Sequence, residues 1–123
     1  MIISEMAQLT KISEYTLRYY EKKELIIVSR DARGRRNYDE NDIEWIRFIQ
    51  RLKETGMPLR DIKKYSDLRA EGDQTIPERR VMLETHRLFV VAEQQKWTQN
   101  LCNLDAKIEY YATMPLTTDQ TKF

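Results

Sequence analysis

Apolar residues recur at intervals of three and four through most of this chain, a spacing typical of amphipathic helices. Ser, Thr, Asp and Asn precede several of the repeats and can cap helices, whereas Gly and Pro are scarce and mark the breaks. The pattern predicts a mainly α-helical chain. Its helices are expected from Ser4 to Leu9, Ser13 to about Lys23, Asp39 or Asn41 to Gly56, Pro58 to about Ala70, and 76 to 113.

The first two predicted helices are short and are joined by a tight turn at residues 10–12, which is the arrangement of a helix-turn-helix. In the second helix, Ile12, Leu17 and Tyr20 can face the core. The outward face would then carry Tyr15, Thr16, Arg18, Tyr19 and Lys22. The second helix is therefore predicted to read DNA.

One stretch departs from helical spacing. The apolar, β-branched run from Leu25 to Ser29 predicts the first strand of a hairpin. Gly34 lies at the expected turn, where a positive φ favours glycine, and the residues from Arg36 lead back. A hairpin directly after a helix-turn-helix is a wing, so residues 1–70 are predicted to form a winged helix-turn-helix DNA-binding domain.

The last predicted helix is unusually long. Residues 71–75 are expected to be a linker, in which Thr75 forms a capping box with Glu78. A helix over 76–113 would be about 57 Å long, more than one small domain requires. Its apolar seam favours a coiled-coil dimer, formed by Leu83, Val90, Trp97, Leu101, Leu104, Ile108 and Tyr111. Residues 114–123 are expected to be a flexible tail.

The net charge is only +1, but the charges are unevenly distributed. Residues 1–65 carry 14 basic and 11 acidic side chains, whereas residues 66–123 carry 7 and 9. The basic residues are densest at 30–36, the predicted tip of the wing, and such clustering favours contact with nucleic acid. The expected DNA contacts are Tyr15, Thr16, Arg18, Tyr19, Tyr20, Arg33, Arg35, Arg36 and Tyr38.

Several of these contacts have an alternative. Arg18 could form an ion pair with Glu14 or Glu21 at the edge of the core. One of Tyr19 and Tyr20 should point into the core and the other toward a phosphate. The wing arginines could be merely solvated.

The chain has a single cysteine, Cys102, and a single histidine, His86. An intrachain disulfide and a cysteine-rich metal site are therefore excluded, which suits a reducing cytosol. The start of the chain lacks the pattern of a signal peptide, and the apolar runs are far too short to span a bilayer. We expect a cytoplasmic protein without a metal or cofactor. It is not expected to be an enzyme, since no phosphate-binding glycine loop or catalytic cluster is present.

Several segments occur in a characteristic order and spacing: Thr16–Glu21 (TLRYYE), Leu25–Ile26, Gly34-x-Arg36-x-Tyr38, Asp42–Ile43, Phe48–Ile49 and Gly56-Met57-Pro58-Leu59-x-x-Ile62. Each is weak alone, and together they are specific. Through them the chain resembles the MerR-type transcriptional regulators over about residues 2–113. The resemblance implies a homodimer held by an antiparallel coiled coil, which binds a pseudo-palindromic operator in double-stranded promoter DNA.

The resemblance also implies a mechanism. Family members act on promoters whose −35/−10 spacer is too long, and they bend and untwist the DNA so that RNA polymerase can engage both elements. The linker Glu71-Gly72-Asp73-x-Thr75 and the short C-terminus resemble those of the subgroup that responds to aldehydes and other thiol-reactive electrophiles, which implies a role in stress response. The sensing cysteine of that subgroup lies near Arg51 in this numbering. This chain has no cysteine before Cys102, which becomes the candidate redox sensor, and the inducer stays open.

Two alternatives remain from the sequence. The aromatic residues Trp45, Tyr65, Trp97 and Tyr110 could line a pocket for a small-molecule effector, or they could belong to the core and the seam. A winged-helix accessory protein that bends DNA for recombination, as excisionases do, would have a similar reading helix and wing. The long dimerisation helix has no role in such a protein.

Overall fold

The computed structural model describes residues 1–115 and has the mainly helical fold that the apolar spacing predicts. Its elements are α1 (Ile3–Thr10), α2 (Glu14–Lys22), β1 (Ser29–Arg30), β2 (Arg36–Asn37), α3 (Glu40–Glu54), α4 (Leu59–Glu71), a 3-10 turn (Asp73–Thr75) and α5 (Ile76–Ala112). The chain divides into a compact first unit, Met1–His86, and a second unit that begins at Arg87. The first unit thus extends past residue 70 into α5. Most of the predicted tail lies outside the described residues.

The core of the first unit is formed by α1 to α4 and by the loop after α2. Its fully buried side chains include Met6, Leu17, Leu25, Ile46, Ile49 and Ile62. The carbonyl oxygen of Leu25 accepts hydrogen bonds from the indole nitrogen of Trp45 on α3 and from the hydroxyl of Ser66 on α4, each at 2.8 Å. A backbone acceptor inside the core is thereby satisfied, and the loop is fixed against both helices.

That loop begins with a Schellman stop at the end of α2. The amide of Leu25 donates to the carbonyl of Tyr20, and the amide of Glu24 donates to the carbonyl of Glu21, both at 2.9 Å. Glu24 has a φ of 60°, in the position that glycine usually takes. Leu25 and Ile26 then enter the core as irregular chain. The strand predicted from residue 25 was therefore wrong for most of its length, and β1 starts only at residue 29.

Of the caps predicted for the first two helices, one is wrong and one is confirmed. Ser4 was wrong as a cap, because α1 begins at Ile3 and the carboxylate of Glu5 reaches back to the amide before the helix at 3.5 Å. Ser13 is confirmed as the cap of α2, since its hydroxyl oxygen accepts from the amide of Thr16 at 3.1 Å.

Both ends of α3 agree with the sequence signals. Asp39 and Asp42 form a reciprocal capping box, with both hydrogen bonds at 2.9 Å. Gly56, with a φ of 87°, follows the helix in the left-handed conformation. The amide of Met57 then donates to the carbonyl of Leu52 at 2.9 Å, and both side chains are buried. A glycine and an apolar residue thus end α3 and direct the chain into α4.

The predicted linker 71–75 is a tight connection. Thr75 is buried, and its hydroxyl oxygen lies 2.6 Å from the carbonyl oxygen of Leu68 and 2.8 Å from that of Gly72. The guanidinium of Arg79 donates to the same hydroxyl at 3.0 Å. Thr75 consequently joins the end of α4 to the start of α5. The capping box predicted for Thr75 and Glu78 stays a prediction.

Helix α5 has 37 residues, of which none is fully buried in the described chain. Its length is about 55 Å at roughly 1.5 Å per residue. Met82 and Leu83 pack against the core of the first unit. The sequence had placed Leu83 in the dimer seam and did not predict this contact with the core. Among residues 1–115, no helix has the length and apolar character needed to cross a bilayer.

Candidate DNA-binding surface

The outward face of α2 carries the side chains that its pattern predicts. Tyr15 is 80% exposed, Arg18 is exposed, and Thr16 and Tyr19 are half-buried. The guanidinium of Arg18 donates to the carboxylate of Glu14 one helical turn earlier, at 3.3 Å. An exposed pair of this kind adds little stability, so the guanidinium can exchange this partner for another anion.

The tip of the wing is organised by one carboxylate. Asp31 accepts hydrogen bonds from the amides of Arg33 at 2.8 Å and Arg35 at 3.0 Å, and the Nε of Arg35 donates to its other oxygen at 3.1 Å. The amide of Arg35 is the main cause that holds the pKa of the Asp31 carboxyl below its usual value. Gly34, with a φ of 78°, makes the turn as predicted. Two arginines are thereby presented at an ordered, exposed tip.

The base of the wing is joined to α2 by a second carboxylate. Glu21, in the last turns of α2, accepts from the Nη2 of Arg30 at 2.7 Å through one oxygen and from the Nε of Arg36 at 2.6 Å through the other. Arg30 and Arg36 are register partners across the hairpin. We call these three residues the Glu21 clamp. Arg36, a predicted DNA contact, therefore has an acidic partner within the chain.

Two predicted contact residues lie in the core, and the structure corrects both assignments. Tyr20 is 3% exposed and Tyr38 is 2% exposed, so neither ring can reach a bound duplex. Burial raises the pKa of both hydroxyls. The hydroxyl of Tyr38 has no hydrogen-bond partner among residues 1–115. Of the two adjacent tyrosines in α2, Tyr19 is thus the one on the surface side, which was one of the alternatives left open.

Sequence reasoning missed three residues that organise this surface: Glu21, Arg30 and Asp31. The sequence suggests Glu21 only as a partner of Arg18 on the same helix. Its partners lie nine and fifteen residues later, a separation with no helical or strand period, so only the fold brings them together. Asp31 could have been recognised, because aspartate three residues before a turn glycine commonly accepts from turn amides.

Comparison with known proteins identifies the fold. A family model described as MerR HTH family regulatory protein matches residues 1–68, and a second, described as MerR, DNA binding, matches residues 43–107. An HTH-type transcriptional regulator of Haemophilus influenzae is 36% identical over 109 residues, which cover 88% of this chain and 81% of that protein. The chain belongs to the MerR family. The HTH-type transcriptional regulator AdhR of Bacillus subtilis is 39% identical over 88 residues, which cover 71% of this chain and 63% of that protein.

Solved MerR-family structures match about nine tenths of the chain. HiNmlR, described as a regulator lacking the sensor domain and bound to promoter DNA, has a TM-score of 0.82 and 35% identity, over 90% of this chain and 89% of its own. A MerR-family regulator from Listeria monocytogenes has a TM-score of 0.88 and 29% identity, over 92% and 86%. These relatives are transcriptional regulators, a class without catalytic activity. The protein is accordingly a DNA-binding regulator of transcription and not an enzyme.

The single cysteine and the single histidine lie apart from this surface in sequence. Cys102 is exposed on α5, within the second unit. His86 lies 2.7 Å from the hydroxyl of Thr55 at the end of α3. No group of three potential metal ligands occurs among residues 1–115. The redox role of Cys102 stays a prediction.

Trp45 and Tyr65 are stacked at 5.7 Å between ring centroids and are buried in the core of the first unit. They also border a shallow cavity of about 220 Å³, together with Phe48, Arg69 and Arg79. The guanidinium of Arg69 lies 4.6 Å from the centroid of the Trp45 ring. Core packing therefore accounts for these two aromatic rings. Trp97 and Tyr110 belong to the second unit, and a pocket shared with them stays a hypothesis.

Proposed function

We propose that this MerR-family protein is a homodimer that recognises a pseudo-palindromic operator in promoter DNA and distorts it in response to a signal. The observation that carries the proposal is the combination, in one unit, of an exposed reading face on α2 and an arginine-rich wing tip. A major groove accepts a helix, and flanking phosphates or a minor groove accept guanidinium groups. The relative HiNmlR, described as bound to promoter DNA, supports the same role here.

In this proposal, α2 and the wing make different kinds of contact with DNA. Tyr15, Thr16, Arg18 and Tyr19 contact bases and phosphates from α2. Arg33, Arg35 and Arg36 contact phosphates or a minor groove from the wing. Base contacts confer sequence preference, whereas phosphate contacts fix the position of the protein on the duplex. Tyr20 and Tyr38 act indirectly, because they hold the two elements on one core.

Dimerisation is proposed to occur through α5. Trp97, Leu101, Leu104 and Ile108 are between 58% and 69% exposed within the single chain. Their three- and four-residue spacing matches the seam of a coiled coil, and burying them against a second copy would remove a large apolar area from water. An antiparallel pairing, as the family resemblance implies, would place two reading helices on one palindromic site.

Activation would follow from deformation of the bound DNA. Bending and untwisting a duplex costs on the order of a few kcal/mol, which the added contacts of the dimer must offset. The proposed outcome is a promoter whose two elements RNA polymerase can engage together. Because promoters and polymerase are found in the cytoplasm of bacteria, we propose a cytoplasmic location. Cys102 is the only thiol at which an electrophile or oxidant can act. A noncovalent small-molecule effector is the alternative signal.

The test combines a measurement of the molecular mass in solution with a footprint on DNA. The purified protein is examined by sedimentation equilibrium and by nuclease footprinting on the promoter upstream of its own gene. Twice the chain mass of 14.9 kDa and a two-fold symmetric footprint are expected. A monomer would count against the regulator mechanism and favour a DNA-bending accessory protein of the excisionase type.

A further inference from the structure

We propose that Glu21 is a positioning residue for DNA recognition: through the Glu21 clamp it sets the orientation of the wing relative to α2, and sequence discrimination depends on that orientation. This inference rests on the proposed function. It assigns a role to a carboxylate whose two oxygens each accept a hydrogen bond from an arginine of the wing in the free protein.

The geometry of the clamp supports a structural coupling. Each oxygen of Glu21 receives its own donor, one from each strand of the wing, at 2.7 and 2.6 Å. The side chains of Glu21 and Arg36 are 20% and 26% exposed, so this pair is more shielded than an ordinary surface ion pair. Charge-assisted hydrogen bonds at these lengths are strong and directional. One carboxylate therefore holds two adjacent strands at once.

The wing needs a contact of this kind to keep its orientation. Each of its strands has only two residues, and an isolated two-stranded hairpin is marginally stable in water. The amide of Tyr38 donates to the carbonyl of Met1 at 2.7 Å, and the amine of Met1 donates to the side-chain oxygen of Asn37 at 2.8 Å, so β2 is also anchored to the segment that precedes α1. The clamp adds the ionic connection between both strands and α2. Without Glu21, the wing would lose its direct ionic connection to the reading helix.

The clamp also leaves donors for DNA. A guanidinium has five N–H donors, and the clamp uses the Nε of Arg36 and the Nη2 of Arg30. The remaining N–H groups can bind a phosphate while the carboxylate keeps each guanidinium plane in place. Positioning and contact can thus occur together, and the bound orientation exists before DNA arrives.

The test uses Glu21→Gln, with Glu24→Gln as the matched control. Both substitutions add one positive charge near the end of α2, but the carboxylate of Glu24 is 76% exposed and approaches Lys63 at 3.6 Å, not the wing. The probes are the duplex that the wild type selects from a random-sequence library and a scrambled duplex of the same composition. The readout is the ratio of the two affinities at fixed salt.

Glu21→Gln is expected to lower this ratio by about tenfold, the effect of losing one charged hydrogen-bonded partner. Its affinity for the scrambled duplex should stay equal or rise, because the variant is more positive. Glu24→Gln should keep the wild-type ratio. The double variant Glu21→Gln/Arg30→Gln, which has the wild-type net charge, should keep the low ratio. An unchanged ratio in Glu21→Gln would overturn the inference, as would recovery of the ratio in the double variant.

A measurement without DNA separates this inference from the proposed function. In the free protein, the Nε–H of Arg36 should exchange with solvent more slowly in the wild type and in Glu24→Gln than in Glu21→Gln, as seen by NMR. Equal exchange in all three would show that the clamp does not hold the wing. A wild type with slow exchange that selects no duplex would instead contradict the proposed sequence-specific function.

Discussion

The indole nitrogen of Trp45 donates a hydrogen bond to the carbonyl oxygen of Leu25 at 2.8 Å, and these two residues lie twenty positions apart in the chain. The bond joins α3 to the loop between the reading helix and the wing. Both residues are buried, so the direction in which the chain leaves α2 is set by the core. The recognition surface and the stability of the first unit are therefore linked.

Trp45→Phe tests this link. The substitution removes the donor and part of the ring, and it should lower the free energy of unfolding by about 1–3 kcal/mol. The acceptor keeps the hydroxyl of Ser66 at 2.8 Å, which limits the loss. Urea unfolding measures the effect. Ser66→Ala is the companion variant, with an expected loss of about 1 kcal/mol. A loss below that of Ser66→Ala would show that the indole bond contributes little.

Glu24→Gly should stabilise the protein. Glu24 occupies a left-handed position with a φ of 60°, where a side chain costs about 1 kcal/mol and glycine does not. The loss of its exposed contact with Lys63 should matter little. The midpoint of thermal unfolding is expected to rise in Glu24→Gly and not in Glu24→Ala, which removes the same contact but keeps a Cβ. Equal midpoints in the two variants would argue against strain at this position.

Arg18→Ala tests the reading helix. If Arg18 contacts a base, specific binding should weaken by about 1–3 kcal/mol. If it contacts only a phosphate, binding to all sequences should weaken alike, and the salt dependence should become shallower by about one unit. Arg80→Ala, which removes another exposed arginine with a carboxylate partner, is the control. Wild-type affinity at every salt concentration would exclude both roles for Arg18.

Trp97→Asp tests the dimer seam. Trp97 is 69% exposed in the single chain, so the substitution should leave the fold of the chain intact. At a buried seam the new charge would be desolvated, which is unfavourable without a partner. Monomers that no longer bind a palindrome are expected by sedimentation. Gln95→Asp adds the same charge on another face of α5 and should remain dimeric. A dimeric Trp97→Asp would show that the seam is misassigned.

Cys102→Ser tests whether the protein senses its signal through the thiol of Cys102. Transcription in vitro from the promoter upstream of the protein's own gene is measured with and without formaldehyde or a thiol oxidant. Since Cys102 is the only thiol, induction that depends on covalent sensing should be lost in the variant. Induction that persists would assign the response to a noncovalent effector.

Short-range sequence signals predicted much of the fold. Ser13, Asp39 and Gly56 mark helix ends through hydrogen bonds to neighbouring amides and carbonyls, and such bonds depend on residues a few positions away. The strand predicted from Leu25 failed because its apolar residues are used by the core. A run of this kind has the same composition in a strand and in a buried loop, and only packing distinguishes the two.

The sequence by itself determined the order of helices, the turn of the wing, the family, and the face of α2 that carries Tyr15 and Arg18. Those features depend on periodicity and on short-range hydrogen bonds. The tertiary structure alone decided that Tyr20 and Tyr38 are buried and that Glu21 holds Arg30 and Arg36. Contacts between residues far apart in the chain leave no fixed spacing, because the loops between them set the distance in space. Which aromatic and charged residues lie in the core and which lie on the surface could therefore be learned only from the tertiary structure.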